Sequence, residues 1–218
     1  GAQAPGNGTK TKSPEGATEE RPIGSAEKTS PGKLVVITGP SGVGKSTIRQ
    51  EVIRRTGAAY SVSATTRPPR AGEADGRDYY FVDRQTFQRM IDNDELLEWA
   101  QVFGKLYGTP AAPVKQAVDQ GRTIILEIDV QGGLQVHRKM PEATFILVLP
   151  PGEAELARRL AGRGSEDAAA AAGRLAMARK EIETAERSGA YKYRVVNDDL
   201  EQAVRQVVDI INEERSGK

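Results

Sequence analysis

The sequence predicts an α/β fold: a parallel sheet flanked by helices, with a small mixed or antiparallel insertion and a helical segment added to it. Three observations carry this. Short apolar runs rich in β-branched residues recur, at "KLVVITG" (33–39), "TIILEID" (123–129), "TFILVLP" (144–150) and "YRVVN" (193–197), as buried parallel strands require. Helical patterns fill the intervals, over Ser46–Arg55, Pro113–Gln120, Gly133–Met140 and Leu200–Glu214. Strands alternating with helices make right-handed crossovers and a sheet covered on both faces. The first strand runs directly into a glycine-rich turn and a helix, a junction that carries chemistry as well as structure.

Taken in order, residues 1–32 contain Ile23 as their only large apolar residue. Such a segment cannot bury enough surface to offset its ordering entropy, and it reads as a disordered tail. The domain then spans 33–218. Residues 60–109 break the alternation with "YSVSATT", "DYYFV" and "LLEWAQVFGKLYGT", where Gly104 and Lys105 suit a turn between strands. Residues 153–187 are charged and alanine-rich, with Gly162 and Gly164 stopping one helix and Ser165 able to start another. In the last helix Ala203, Val204, Val207, Val208 and Ile211 share one face.

The composition narrows the chemistry. Among 218 residues the formal net charge is +1, so no global field favours nucleic acid, and any anion site must be local. There is no cysteine, hence no disulfide, thiolate nucleophile or thiolate metal site, and His137 is the single histidine. On an amphipathic helix, His137 reads as a packing or surface residue. No apolar run approaches a membrane span and no signal-peptide core is present, so a cytoplasmic location is expected.

"GPSGVGKS" runs from Gly39 through Pro40, Ser41, Gly42, Val43, Gly44 and Lys45 to Ser46, with Thr47 next. It fits G-x-x-x-x-G-K-[ST] between a strand and a helix, the context that gives the pattern its mechanism. Glycines let backbone N–H groups curl around an anion, and the helix N-terminus adds partial positive charge. Lys45 can reach the β- and γ-phosphates, and the Ser46 hydroxyl can ligate Mg²⁺. A P-loop NTPase fold binding a purine nucleoside triphosphate with Mg²⁺ is therefore expected. The loop leaves the destination of the γ-phosphate open: water or a second substrate.

"TTRPPRAG" (65–72) bears on that choice. Arg67 and Arg70 flank two prolines whose fixed φ lowers the entropy of holding the guanidinium groups together. Tyr79 and Tyr107 can add phenolic hydroxyls. Two forks and two phenols suit a phosphate dianion lying between the arginines.

"GPSGVGKST", "SVSATTRPPRAGEADGRDYYFV", "LLEWAQVFGKLYGT", "ILEIDVQG", "RRLAGRG" and "VVNDDL" occur in this order. Together they resemble guanylate kinase in its bacterial form, over roughly residues 33 to 215. The resemblance implies a core of 33–62, 110–152 and 188–218, a GMP-binding insertion at 63–109 and a mobile lid at 153–187. It implies that Ser63, Arg67, Arg70, Tyr79 and Tyr107 hold the GMP phosphate, and that Glu98, Thr109 and Asp129 read the guanine. Arg159, Arg163 and Arg174 would come from the lid to join Lys45 in catalysis, and Asn197 would lie near the adenine of ATP. The implied reaction is ATP + GMP ⇌ ADP + GDP, with dGMP as a second acceptor.

The base assignment also follows from chemistry. The Glu98 carboxylate can accept from guanine N1–H and the 2-amino group together, and the Thr109 hydroxyl can donate to O6. Adenine N1 would face the carboxylate with a lone pair. A residue that contacts the acceptor rather than the core should be replaceable with little change in melting temperature. Thr109 stands where the family commonly has serine, Ala64 where serine is frequent, and Glu127 where aspartate is frequent. Glu127, two residues before Asp129 and read as sharing its strand face, is a candidate to orient Lys45 or a metal-bound water. "AAAAAG" (168–173) is less polar than the family's lid. Two other readings are a phosphopeptide-binding scaffold, which generally lacks the loop or lid arginines, and a kinase for another phosphorylated acceptor.

Overall fold

The computed structural model describes residues 32–102, 104–161 and 168–217. Residues 1–31, which hold almost all of the expected tail, and Gly162, Arg163, Gly164 and Ser165 lie outside them.

β1 (Leu34–Thr38) is buried along its whole length because neighbours cover both its faces. Val35 and Ile37 point to one side, where they pack with Ile48 and Val52 of α1 (Lys45–Thr56) and Val204, Val207 and Ile211 of α7 (Leu200–Ser216). Leu34 and Val36 point to the other, against Val114 and Ala117 of α3 (Ala111–Asp119) and Val136 of α4 (Val130–Lys139). The period-two alternation of a strand thus feeds two cores at once. The sheet has order β2-β7-β1-β8-β9, with β2 at Ala59–Tyr60, β7 at Ile124–Glu127, β8 at Thr144–Leu149 and β9 at Tyr193–Val196. Its pairs are parallel throughout.

A second sheet has order β4-β3-β6-β5, built from β3 (Ala64–Thr65), β4 (Tyr80–Phe81), β5 (Leu96–Val102) and β6 (Lys105–Pro110). It is mixed: β3 runs parallel to β4 and antiparallel to β6. "YSVSATT" is therefore not one strand, because Tyr60 ends a strand of the first sheet and Ala64 begins one of the second. α2 (Arg84–Asp92) covers this sheet with Phe87, Met90 and Ile91 around Ala64, Leu96 and Leu106. The i, i+3, i+4 spacing of these three residues marks a helix inside a stretch whose neighbours suggest only strands and turns. Two side chains of α4 hold β5 to the core. Gln135 both donates to and accepts from the Trp99 backbone, at 3.0 and 3.2 Å, and Lys139 Nζ donates to Leu96 O at 2.7 Å. α5 (Glu153–Ala161) and α6 (Ala168–Ser188) complete the chain, and an ion pair joins Arg179 to Glu153 across them.

α4 begins earlier than its apolar spacing suggests. Asp129 is its N-cap and accepts from Gly132 N at 2.7 Å, so Asp129 has left the strand and does not share a strand face with Glu127. Gly132 and Gly133 lie inside the helix, where glycine has a cost, and packing explains the second of them. A Cβ on Gly133 would come within 2.5 Å of Tyr191 Oη and 2.7 Å of Thr38 Cγ2.

Gly133→Ala should therefore destabilise the protein by about 1–3 kcal/mol through overpacking. Propensity alone predicts a gain of about 1 kcal/mol. A urea denaturation midpoint that rises in the variant would show that α4 does not depend on this close approach.

Candidate active site

The loop from Gly39 to Gly44 reverses the chain between β1 and α1. Gly39 and Gly44 have φ of 150° and 90°, and a side chain at either would also collide with its surroundings. A Cβ on Gly39 would lie 2.3 Å from Val148 O, and one on Gly44 2.4 Å from Asn197 Nδ2. The N-caps of α2, α4 and α7 are aspartates that accept from their own helices, whereas Gly44 gives α1 no side-chain cap. No side chain at Gly44 therefore competes with an anion for the start of α1. Lys45 Nζ donates to Gly39 O at 2.6 Å and Pro40 O at 3.0 Å, which holds it along the loop. Ser46 Oγ donates to Glu127 Oε1 at 2.6 Å. A cleft of about 240 Å³ is lined by Ser41, Gly42, Lys45, Ser46, Thr47 and Glu127.

A second cleft, of about 320 Å³, opens between the two sheets. Of the residues singled out in the sequence, Ser63, Tyr79, Glu98, Tyr107 and Asp129 line it. Ser46 and Glu127 line both clefts, so the two meet at the start of α1. Glu98 is only 7% exposed. Burial pushes its carboxyl up to about 7; the Thr109 hydrogen bond opposes the rise and the nearby Asp129 charge adds to it. Thr109 is fully buried behind Glu98 and donates to Glu98 Oε1 at 2.6 Å. The hydroxyl proton expected to serve a ligand O6 is given to the carboxylate instead. β5 and β6 impose the pairing, since they place Glu98 opposite Thr109.

The two arginines are not equivalent. Arg67 is clamped by Glu73, with Nη1 and Nη2 each 2.9 Å from a carboxylate oxygen. The same Glu73 accepts from the Arg70 backbone N–H at 2.7 Å, while the Arg70 side chain is exposed. The anion between the arginines in this structure is thus Glu73, which the sequence reading did not single out. Arg67 holds the Glu73 carboxyl below its usual range, and the Arg70 N–H adds to this. The Arg67 guanidinium lies 5.3 Å from the Tyr79 ring, at the edge of the cleft.

Asn197 lies directly against the phosphate loop. Its amide donates to Val43 O at 2.7 Å, which supports the phosphate loop from beneath, and its backbone oxygen accepts from Arg159 Nη1 at 3.0 Å. A shallow cleft of about 430 Å³ beside it is lined by Gly42, Gly44, Thr47, Arg158, Arg159 and Leu200, with Asn197 and Asp198. Arg159 also donates to Glu155 at 2.7 Å. Arg174 is half-buried on α6, and Arg163 lies outside the described residues. Three further residues near the loop and cleft were not singled out: Arg49, Tyr60 and Glu181. Glu181 on α6 has its carboxyl raised by burial and by Asp129, and lowered by Lys45. Arg49 had a readable signal in its position one helical turn after Lys45.

The burial of Glu98 revises the expectation that replacing it leaves stability unchanged. A carboxyl whose folded pKa lies above its unfolded value binds more protons folded, so stability falls as pH rises from about 4.5 to 7. The cost is fully present above pH 7 and amounts to about 3 kcal/mol. Glu98→Gln can keep the Thr109 bond without the buried charge. It should melt several degrees higher than the parent at pH 8, with the gain shrinking toward pH 5. Thermal melts at both pH values decide it; an equal shift at both, or none, would remove the buried charge as the cause.

Comparison with known proteins adds an independent line. The family model described as guanylate kinase matches residues 31–214. A guanylate kinase of Thermus thermophilus is 51% identical over 184 residues, covering 84% of this chain and 82% of that protein. A guanylate kinase of Synechocystis is 48% identical over 184 residues, covering 84% and 95%. The crystal structure of guanylate kinase from Anaplasma phagocytophilum superposes with a TM-score of 0.68 at 36% identity, covering 86% of this chain and 88% of that one. On the matched motifs, the shared fold and these identities, the chain belongs to the guanylate kinase family.

Proposed function

We propose that the protein transfers the γ-phosphoryl group of ATP to GMP, giving ADP and GDP, with dGMP as a second acceptor. The observation that carries this reading is the buried Glu98 carboxylate in a cleft that shares Ser46 and Glu127 with the phosphate loop. A base on Glu98 would direct its phosphate toward that shared edge. In this reading residues 63–109 form the acceptor-binding part and 153–187 the lid. Among the described residues no helix is long and apolar enough to cross a membrane.

The residues divide the task by charge and by position. The loop amides and Lys45 take the ATP phosphates, and Lys45 leaves its two loop carbonyls to follow the charge that develops in transfer. Arg67, Arg70, Ser63, Tyr79 and Tyr107 take the acceptor phosphate, whose second pKa near ~6 leaves it mostly dianionic at neutral pH. No general base is then required, and positioning with exclusion of water supplies the catalysis. Arg159 and Arg174 would approach from the lid side, and Asn197 acts on ATP by fixing the loop under it.

The donor set at the loop fits Mg²⁺, which takes few protein ligands and keeps several waters. The Ser46 hydroxyl can ligate it directly and Glu127, 2.6 Å from that hydroxyl, through water. When bound, the ion supplies neutralisation of the β- and γ-phosphate charge.

A coupled assay of ADP formation tests the reading, with GMP, AMP, UMP and no acceptor. Turnover should require GMP; equal rates without acceptor would make the protein an ATPase instead. Lys45→Met should lower kcat at least about a hundredfold while GMP still binds. Glu98→Gln should lower kcat/KM for GMP by about 30- to 1000-fold, because an amide NH₂ then faces a guanine donor. AMP should fall much less or gain. A common factor for both nucleotides would leave Glu98 a structural residue and guanine reading without a basis.

A further inference from the structure

The cleft between the two sheets poses an electrostatic problem for a phosphorylated ligand. Glu98, Glu127 and Asp129 all line it, and among the described residues the one cationic side chain lining it is Arg49. Arg49 sits where the cleft meets the phosphate loop. Its guanidinium lies 4.1 Å from the Tyr60 ring centroid, close enough for a cation–π contact. Its Nε is 2.9 Å from Glu127 Oε2, yet that buried atom makes no hydrogen bond, so the contact is an ion pair off the hydrogen-bond direction. Both side chains are largely covered, at 16% and 14% exposure, where screening by water is weak. Glu127 uses its other oxygen to accept from Ser46.

We propose that Arg49 is a positioning and charge-balancing residue of the acceptor cleft. Held on Tyr60, it neutralises Glu127 and keeps that carboxylate turned to Ser46, out of the path of the incoming phosphate. This rests on the cleft being the GMP site. Without Arg49, a dianion entering past Arg67 and Arg70 would still approach a Glu127 that has lost its cationic partner, in a low-dielectric setting. The acceptor phosphate would then be repelled at the point where it must meet the donor.

The test is calorimetric titration of the full chain, without ATP or Mg²⁺, so that Glu127 has no other task. GMP and guanosine are the probes. Arg49→Gln should weaken GMP at least about tenfold and guanosine less than about twofold, while Arg49→Lys holds GMP within about threefold. In Arg49→Gln/Glu127→Gln, GMP affinity should return to within about threefold of the parent, because the unbalanced charge is gone. Glu127→Gln alone should bind GMP at least as tightly as the parent, and it carries the test if Arg49→Gln loses its cooperative thermal transition. Unchanged GMP binding in Arg49→Gln, equal loss of GMP and guanosine, or no recovery in the double variant would overturn the proposal. Failure of the parent to bind GMP would instead overturn the assignment of the cleft.

Discussion

The structure depends on one requirement placed on β1: it must be apolar on both faces and still deliver a glycine-rich loop into a helix that has no side-chain cap. Val35 and Ile37 serve one core, and Leu34 and Val36 the other, so the strand is fixed from both sides. The loop it delivers is set from beneath by Asn197 on Val43 O, and α1 starts without a side-chain cap. The two-sided burial of the strand and the side-chain-free start of α1 are two consequences of one placement.

The second cleft is organised around the opposite sign. Its carboxylates are useful only if each is held and balanced. Thr109 holds Glu98, Gly132 N holds Asp129, and Ser46 with Arg49 holds Glu127. Burial makes Glu98 costly to ionise, and in such a setting a carboxylate oxygen that still lacks a donor discriminates strongly toward hydrogen-bond donors. Stability is surrendered at the one buried carboxyl that the cleft offers to a base. Glu73 deals with the reverse case, two neighbouring cations, by placing a carboxylate on the Arg67 guanidinium and the Arg70 backbone.

Much of this was legible in the sequence. The buried strands announced themselves as β-branched apolar runs, and the phosphate loop as glycines with lysine and serine at fixed spacing between a strand and a helix. Both signals are local, because a parallel strand and a tight turn impose their demands on adjacent residues. The insertion was harder. Its strands β3 and β4, like β2 just before them, are two residues each, too short for alternation to declare itself, and "YSVSATT" divides between two sheets that no local pattern separates. α2 carried a readable apolar spacing that the neighbouring strand-like runs obscured.

The sequence by itself determined the sheet's strands, the anion-binding turn and the set of residue types that a nucleotide site needs. Only the tertiary structure decided which of those residues face which partner. Asp129 caps a helix instead of continuing a strand, Thr109 gives its proton to Glu98, Asn197 supports the loop, and Glu73 takes the arginine fork. Arg49 meets Glu127 and Tyr60 from distant parts of the chain. The reason is physical. Backbone preference and apolar periodicity act over a few neighbouring residues, whereas the partner of a polar side chain is chosen by whatever the fold carries within about 3 Å of it.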